Sequence, residues 1–386
     1  MQRLVGLFGA GQLDAAEAQA RALLRAHPGF FPLFNILGAI QTRQGKLKDA
    51  VGSYQKAIAA RPDFAEAHNN LGLTLKDLGK LGDAAQAFRR AVAVKPDYLE
   101  AHNNLGNALL AQGRLEEAAA AFRQILKAAP DFPLGHNNLG NVLLEQGLHA
   151  QAIESYQRAL QLAPDYAEAH NNLGSAYKEQ GELAAAAASF GQALQFAPGY
   201  PEALNNLGTV LEAQGDYGQA LAHYRQALQA APDFAEAHNN LGNVLLAHRQ
   251  FDEALASFAA AVRLKPNFAQ AHVALGNALM EVKQLEPALQ SLRTALAIKG
   301  DNADAHNSLG NVLQKLRRYA EAKAAYEKAL KLRPDFDLAA GGLGRTLLLE
   351  GEHMRGLEWL ARDTGFVRFT AGAGTRLILE AADAAD

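Results

Sequence analysis

The sequence predicts an all-α fold, an α-solenoid of stacked 34-residue helix-turn-helix repeats. Three observations carry that reading. Proline recurs every 34 residues at Pro28, Pro62, Pro96, Pro130, Pro164, Pro198, Pro232 and Pro266, skips Gly300, and returns at Pro334. A Leu-Gly pair keeps the same period from Leu37-Gly38 to Leu343-Gly344 without a miss. Between these marks apolar residues fall at helical spacing, as Ala84, Phe88 and Ala91 do at i, i+4 and i+7. One helix pair cannot bury its apolar face alone, so repeated pairs stack on their neighbours.

The period also sets the organisation of the chain. Residues 1–30 form a truncated N-terminal capping repeat, 31–336 hold nine full repeats, and 337–364 form a divergent C-terminal repeat. The tail, 365–386, is expected either to fold as a short hairpin covering the end of the stack or to fray.

Within a repeat the elements follow in order. The first helix begins after Pro-Asp-aromatic, as in Pro62-Asp63-Phe64. Asp63 is placed to be its N-cap, and Glu66, three residues on, completes a capping box. Asp97 with Glu100, Asp165 with Glu168, and Asp233 with Glu236 repeat the arrangement. The helix carries Leu71, Gly72 and Leu75 and stops at Gly79, a left-handed C-cap. The second helix carries Ala84, Phe88 and Ala91, and Pro96 ends it. Gly72 and Ala84 allow close crossing, and Phe88 fills the wider space beside them. Repeats seven to nine replace the turn glycine with Arg249, Lys283 and Arg317.

Composition narrows function. The 386 residues carry a net charge of −3, which disfavours a nucleic-acid binder, since such proteins are usually strongly basic. The absence of cysteine excludes disulfides, thiolate metal sites and cysteine nucleophiles. The opening MQRLVGLFGAGQ is interrupted by Gly6, Gly9 and Gly11 and makes a poor secretory signal. No stretch approaches the roughly 18 apolar residues of a membrane span. A cytoplasmic location, with no membrane and no nucleic-acid partner, is the expectation. No phosphate loop, HExxH motif, nucleophile elbow or paired carboxylates occur, so no enzyme activity, cofactor or metal is expected.

The residues Leu71, Gly72, Leu75, Ala84, Phe88, Ala91 and Pro96, with their equivalents one period on, resemble the tetratricopeptide repeat family over nearly the whole chain. That resemblance implies a right-handed superhelix whose first helices line a concave groove that binds peptide or protein segments without chemistry of its own.

The first helices carry an asparagine ladder. A doublet precedes each Leu-Gly pair at Asn69-Asn70, Asn103-Asn104, Asn137-Asn138, Asn171-Asn172, Asn205-Asn206 and Asn239-Asn240. Asn35 and Asn307 keep the first member only, while Asn107, Asn141, Asn243, Asn277 and Asn311 stand three residues after the second position. Residues at i and i+3 share a helix face. Carboxamides both donate and accept, so a row of them can hold the backbone of an extended peptide whatever its side chains. The peptide-binding residues expected are these doublets together with Asn107, Asn141 and Asn243. Because Ala274, Ser308 and Gly342 interrupt the second position, the strongest stretch is expected from Asn69 to Asn243. The doublet before Leu-Gly resembles the repeat arm of O-linked N-acetylglucosamine transferases, without their catalytic region. The resulting expectation is a non-catalytic interaction scaffold; the alternative is a substrate-recruiting arm of a separate or missing glycosyltransferase. Neither the partner nor the oligomeric state is written in the residues.

Two further series have plainer explanations. His68, His102, His136, His170, His238, His272 and His306 occupy one repeat position. Equivalent positions lie about 10 Å apart, so neighbours cannot share an ion bound at ~2 Å, and a structural role is expected. Glu66, Glu100, Glu168, Glu202 and Glu236 are expected to serve the helix N-termini.

Overall fold

The fold follows from a computed structural model that describes residues 1–360. The tail 365–386 and the last residues of the divergent repeat lie outside them. Among the described residues there are 22 helices and no strand, and consecutive helices pack in chain order within each of two compact units. One unit runs over Met1–Pro198, the other from Gly199 on. The first holds helix pairs from Gln2–Gly9 with Leu13–Ala26 to Ala167–Glu179 with Leu183–Phe196. The second holds pairs from Pro201–Ala213 with Tyr217–Ala230 to Asp337–Glu350 with His353–Leu360. The expected all-α solenoid of helix-turn-helix repeats is the architecture found.

Repeat two shows why these residues make this unit. Its helices are Ala65–Asp77 and Leu81–Val94. Gly79 sits at φ 74, where a Cβ would be strained, and lets the chain turn back. The Gly79 N–H bonds the Lys76 carbonyl at 2.8 Å and the Lys80 N–H bonds the Leu75 carbonyl at 2.9 Å, so the orphaned carbonyls of the helix end find donors. Ala84, Phe88 and Ala91 are fully buried. A Cβ on Gly72 would lie 2.5 Å from the Phe88 ring, so the glycine makes room for the aromatic wedge. The same contact joins Gly106 to Phe122, Gly140 to Tyr156 and Gly242 to Phe258. Each unit's core is built from these wedges and from alanines of adjoining helices.

The expected capping boxes are not formed. The first helix starts one residue later than that arrangement needs, with Phe64 at the N-cap and no side-chain cap. Tyr98, Tyr166 and Phe234 take the same place. The aromatic displaces the aspartate outward, and Asp63 accepts instead from Arg61 Nε at 3.0 Å. The histidine column secures the entry to each first helix. His68 Nε2 lies 2.9 Å from the Pro62 carbonyl, and the same bond runs from His102 to Pro96, His136 to Pro130 and His306 to Gly300. A ring on the helix thus clips the linker that precedes it.

Candidate functional site

The asparagine ladder resolves into an inner and an outer row. The first member of each doublet turns into the stack. Asn69 and Asn137 are fully buried, Asn239 is 1% exposed, Asn171, Asn205 and Asn307 are buried, and Asn103 is half-buried. The second members, Asn70, Asn104, Asn172, Asn206 and Asn240, are half-buried, and Asn138 is buried.

These two members bond across the repeat boundary. In the first unit, Asn70 Nδ2 donates to Asn35 Oδ1 at 3.1 Å, Asn104 to Asn69 at 3.0 Å, Asn138 to Asn103 at 2.7 Å and Asn172 to Asn137 at 3.0 Å. In the second, Asn240 donates to Asn205 at 2.9 Å. The inner amides also donate onward, Asn69 to Glu100 Oε1 at 3.3 Å and Asn137 to Glu168 Oε1 at 3.1 Å. Those glutamates therefore anchor the preceding repeat rather than cap their own helix. Glu236 pairs with Lys265 at 2.6 Å, and the ammonium beside it holds its carboxyl below the usual range.

This corrects the expectation that both members of each doublet face a ligand. Successive helical residues point about 100° apart, so one side of a doublet must leave the face that the other occupies. Asn69, Asn137 and Asn205 form a polar seam between repeats, and like the equally buried Asn171 and Asn239 they lie out of reach of an incoming chain.

The outer row is different. Asn107 is exposed, and Asn141, Asn243, Asn277 and Asn311 are half-buried. Where the wedge of the same repeat is tyrosine, its hydroxyl holds the amide by its oxygen. Tyr156 donates to Asn141 Oδ1 at 2.8 Å and Tyr326 to Asn311 Oδ1 at 2.7 Å. Burial pushes the Tyr326 hydroxyl up to about 12, which keeps it a neutral donor. The Nδ2 groups of all five outer amides have no acceptor among the described residues, and Asn107 and Asn243 make no side-chain hydrogen bond there at all. Asn277 and Asn311, although part of the sequence ladder, were not among the expected binding residues, yet they share this geometry.

The inner seam breaks where the sequence breaks it. Ala274 and Gly342 stand where the donors to Asn239 and Asn307 would be, and the buried Oδ1 atoms of Asn239 and Asn307 have no hydrogen-bond partner. There the first helices of repeats seven to nine border a cavity of about 400 Å³, lined by Leu246, Phe251, Asn277, Met280, Ser308 and Asn311 among others. Among the described residues no group of His, Asp or Glu is arranged to hold a metal, and no helix is long and apolar enough to cross a membrane.

Comparison with known proteins agrees with this architecture. A family model described as TPR repeat matches residues 38–79, 140–181, 174–215 and 276–316. Two models described as Tetratricopeptide repeat match 69–133 with 205–267, and 303–336. Among solved structures, the Cut9–Hcn1 hetero-tetramer of the APC/C is similar at a TM-score of 0.59 and 14% identity, covering 89% of this chain and 82% of that one. The human IFIT1 dimer with m7Gppp-AAAA is similar at 0.53 and 18% identity, covering 86% and 89%. These likenesses concern the fold. No curated protein matches the chain.

Proposed function

Because the chain belongs to the tetratricopeptide repeat family, whose repeats mediate protein–protein interaction and are typically non-catalytic, we propose that it is a scaffold binding extended peptide segments along the face of its first helices. One observation carries this reading: an outer amide recurs on that face with its Nδ2 donors uncommitted, from Asn107 and Asn141 in the first unit to Asn243, Asn277 and Asn311 in the second. A carboxamide donor bonds any main-chain carbonyl, so the face selects extended backbone more than sequence. Within a unit, neighbouring first helices lie about 10 Å apart and an extended chain rises about 3.3 Å per residue, so each repeat meets about every third residue. Asn is a mediocre helix former, and Asn107 and Asn243, which hold nothing together inside the protein, cost helix stability without return unless a ligand uses them.

The recruiting-arm alternative rests on the doublet before each Leu-Gly pair. The first member of that doublet has an interior role here, so the motif gives the alternative no separate support.

The test is a double variant, Asn107→Ala with Asn243→Ala. Neither side chain bonds within the fold and alanine favours helix, so the melting temperature should hold or rise. Each unit then loses one hydrogen bond to its ligand, worth about 0.5–1.5 kcal/mol, which should weaken capture of extended peptides about two- to tenfold, read by fluorescence anisotropy. Unchanged affinity would remove the outer row from the account.

A further inference from the structure

The second unit carries a basic column that the peptide-binding reading does not use. Among the described residues eight turns place glycine at positive φ, but repeats seven, eight and nine put Arg249 at φ 59, Lys283 at φ 62 and Arg317 at φ 60. Side chains with a Cβ are strained in this region, and glycine is not. Three consecutive repeats keep that strain, and each time the residue is cationic. Strain held at one repeated position, with one kind of charge, marks a site of use.

All three side chains are exposed, and none has a carboxylate partner among the described residues. Arg249 rests only against the Phe251 ring, 5.7 Å from its centroid. Elsewhere in these repeats Lys265 pairs with Glu236, Arg318 with Glu321 and Arg333 with Asp304, but the three turn cations do not pair among the described residues. The column is therefore unspent positive charge. Its first member, Arg249, lines the 400 Å³ cavity beside the apolar Leu246, Phe251 and Met280. Asn277 also lines it, with a buried Oδ1 that has no donor.

We propose that repeats seven to nine bind an acidic, extended peptide whose carboxylates recur every third residue. This rests on the peptide-binding reading and adds the class of partner. The carboxylates meet Arg249, Lys283 and Arg317 in turn, a main-chain N–H satisfies Asn277 Oδ1, and an apolar side chain enters between Leu246 and Met280. Equivalent positions of adjoining repeats lie about 10 Å apart. A polyproline II segment turns once in three residues at about 3.1 Å each, so every third side chain falls on one side at about 9 Å. A β-strand would send alternate members of that series to opposite faces. The column thus selects a polyproline II conformation as well as a charge. Glu281, the acidic side chain lining the cavity, repels carboxylates from the apolar pocket and leaves them to the turn positions.

The experiment measures anisotropy of two labelled synthetic peptides at low salt, one with Glu and one with Lys at every third position, Pro and Leu between. Against the parent chain, the Glu peptide should bind at least about tenfold more tightly than the Lys peptide, with the gap closing as salt rises. The triple variant Arg249→Gly, Lys283→Gly, Arg317→Gly should lose that preference. Glycine is relaxed at these φ values, so the variant should melt no lower than the parent, and a folding defect cannot produce the result. Equal binding of both peptides by the parent, or a preference surviving in the glycine variant, overturns the acidic-partner inference alone. Failure of the parent to bind either peptide overturns it together with the peptide-binding reading.

Discussion

The broken rung at Ala274 offers a direct trial of the inner seam. Asn239 is 1% exposed, and its Oδ1 has no hydrogen-bond partner. One repeat earlier, Asn240 supplies the corresponding donor to Asn205 at 2.9 Å. Ala274→Asn should place the same amide one period on and close the gap. Satisfying a buried acceptor is worth about 1–3 kcal/mol, and replacing alanine by asparagine in a helix costs about 0.7 kcal/mol. The net gain is about 0.5–2 kcal/mol. Repeat stacks are stabilised by nearest neighbours, so the gain should appear locally. Native-state hydrogen exchange should show the helices Ala235–Ala247 and Ala269–Glu281 opening about 2- to 30-fold less often, with distant repeats unchanged. The reciprocal variant, Asn240→Ala, should open its boundary by a similar factor. Exchange unchanged in both variants would refute the view that these amides hold the repeats together.

Three further outcomes are expected. Gly72→Val forces side-chain carbon into a site where a Cβ already lies 2.5 Å from Phe88, and should cost about 1–3 kcal/mol by urea unfolding; a neutral result would mean that the helix crossing is loose. Burial holds the His306 imidazole below its ordinary 6.5 despite its bond to the Gly300 carbonyl. The folded state then binds fewer protons, so this contribution is complete above pH 6.5 and is lost as pH falls through the lowered value, a loss that His306→Gln should remove. Hydrogen bonds from Lys46 and then Arg21 draw the Glu17 carboxyl down to about 2, from 4.5. Its stabilisation is present above pH 4.5 and is lost as pH falls toward 2, so exchange in the helix Leu13–Ala26 should accelerate over that window in the parent and much less in Glu17→Gln.

The repeat architecture was legible because period and packing are the same fact. A 34-residue beat of Leu-Gly and proline places a glycine opposite a wedge side chain, as Gly72 opposite Phe88 and Gly276 opposite Leu292, and no long-range inference is needed. The helix starts were misread by one residue because Pro-Asp-aromatic looks like a capping signal until the aromatic itself occupies the cap, as Phe64 does. The ladder was half legible. Its residues were plain, but the doublet's two directions were not separated, although a helix cannot point Asn137 and Asn138 the same way. The signal was present in the register. Asn35, Asn69, Asn103, Asn137 and Asn205 each have a donor at +35, and Asn69 and Asn137 also have a glutamate at +31, as in Asn69 with Asn104 and Glu100. The tyrosine hydroxyls on Asn141 and Asn311 were not foreseeable, because they depend on which ring fills a wedge position that is equally often phenylalanine.

The central claim is that the outer amides, and not the inner ones, meet the ligand. Side-chain amide NMR signals followed during titration with an extended peptide test it most directly. Shifts in the Nδ2 resonances of Asn107, Asn141 and Asn243, with those of Asn69, Asn137 and Asn239 unmoved, are the predicted result. A ligand that saturates the protein while the outer resonances stay in place would contradict it.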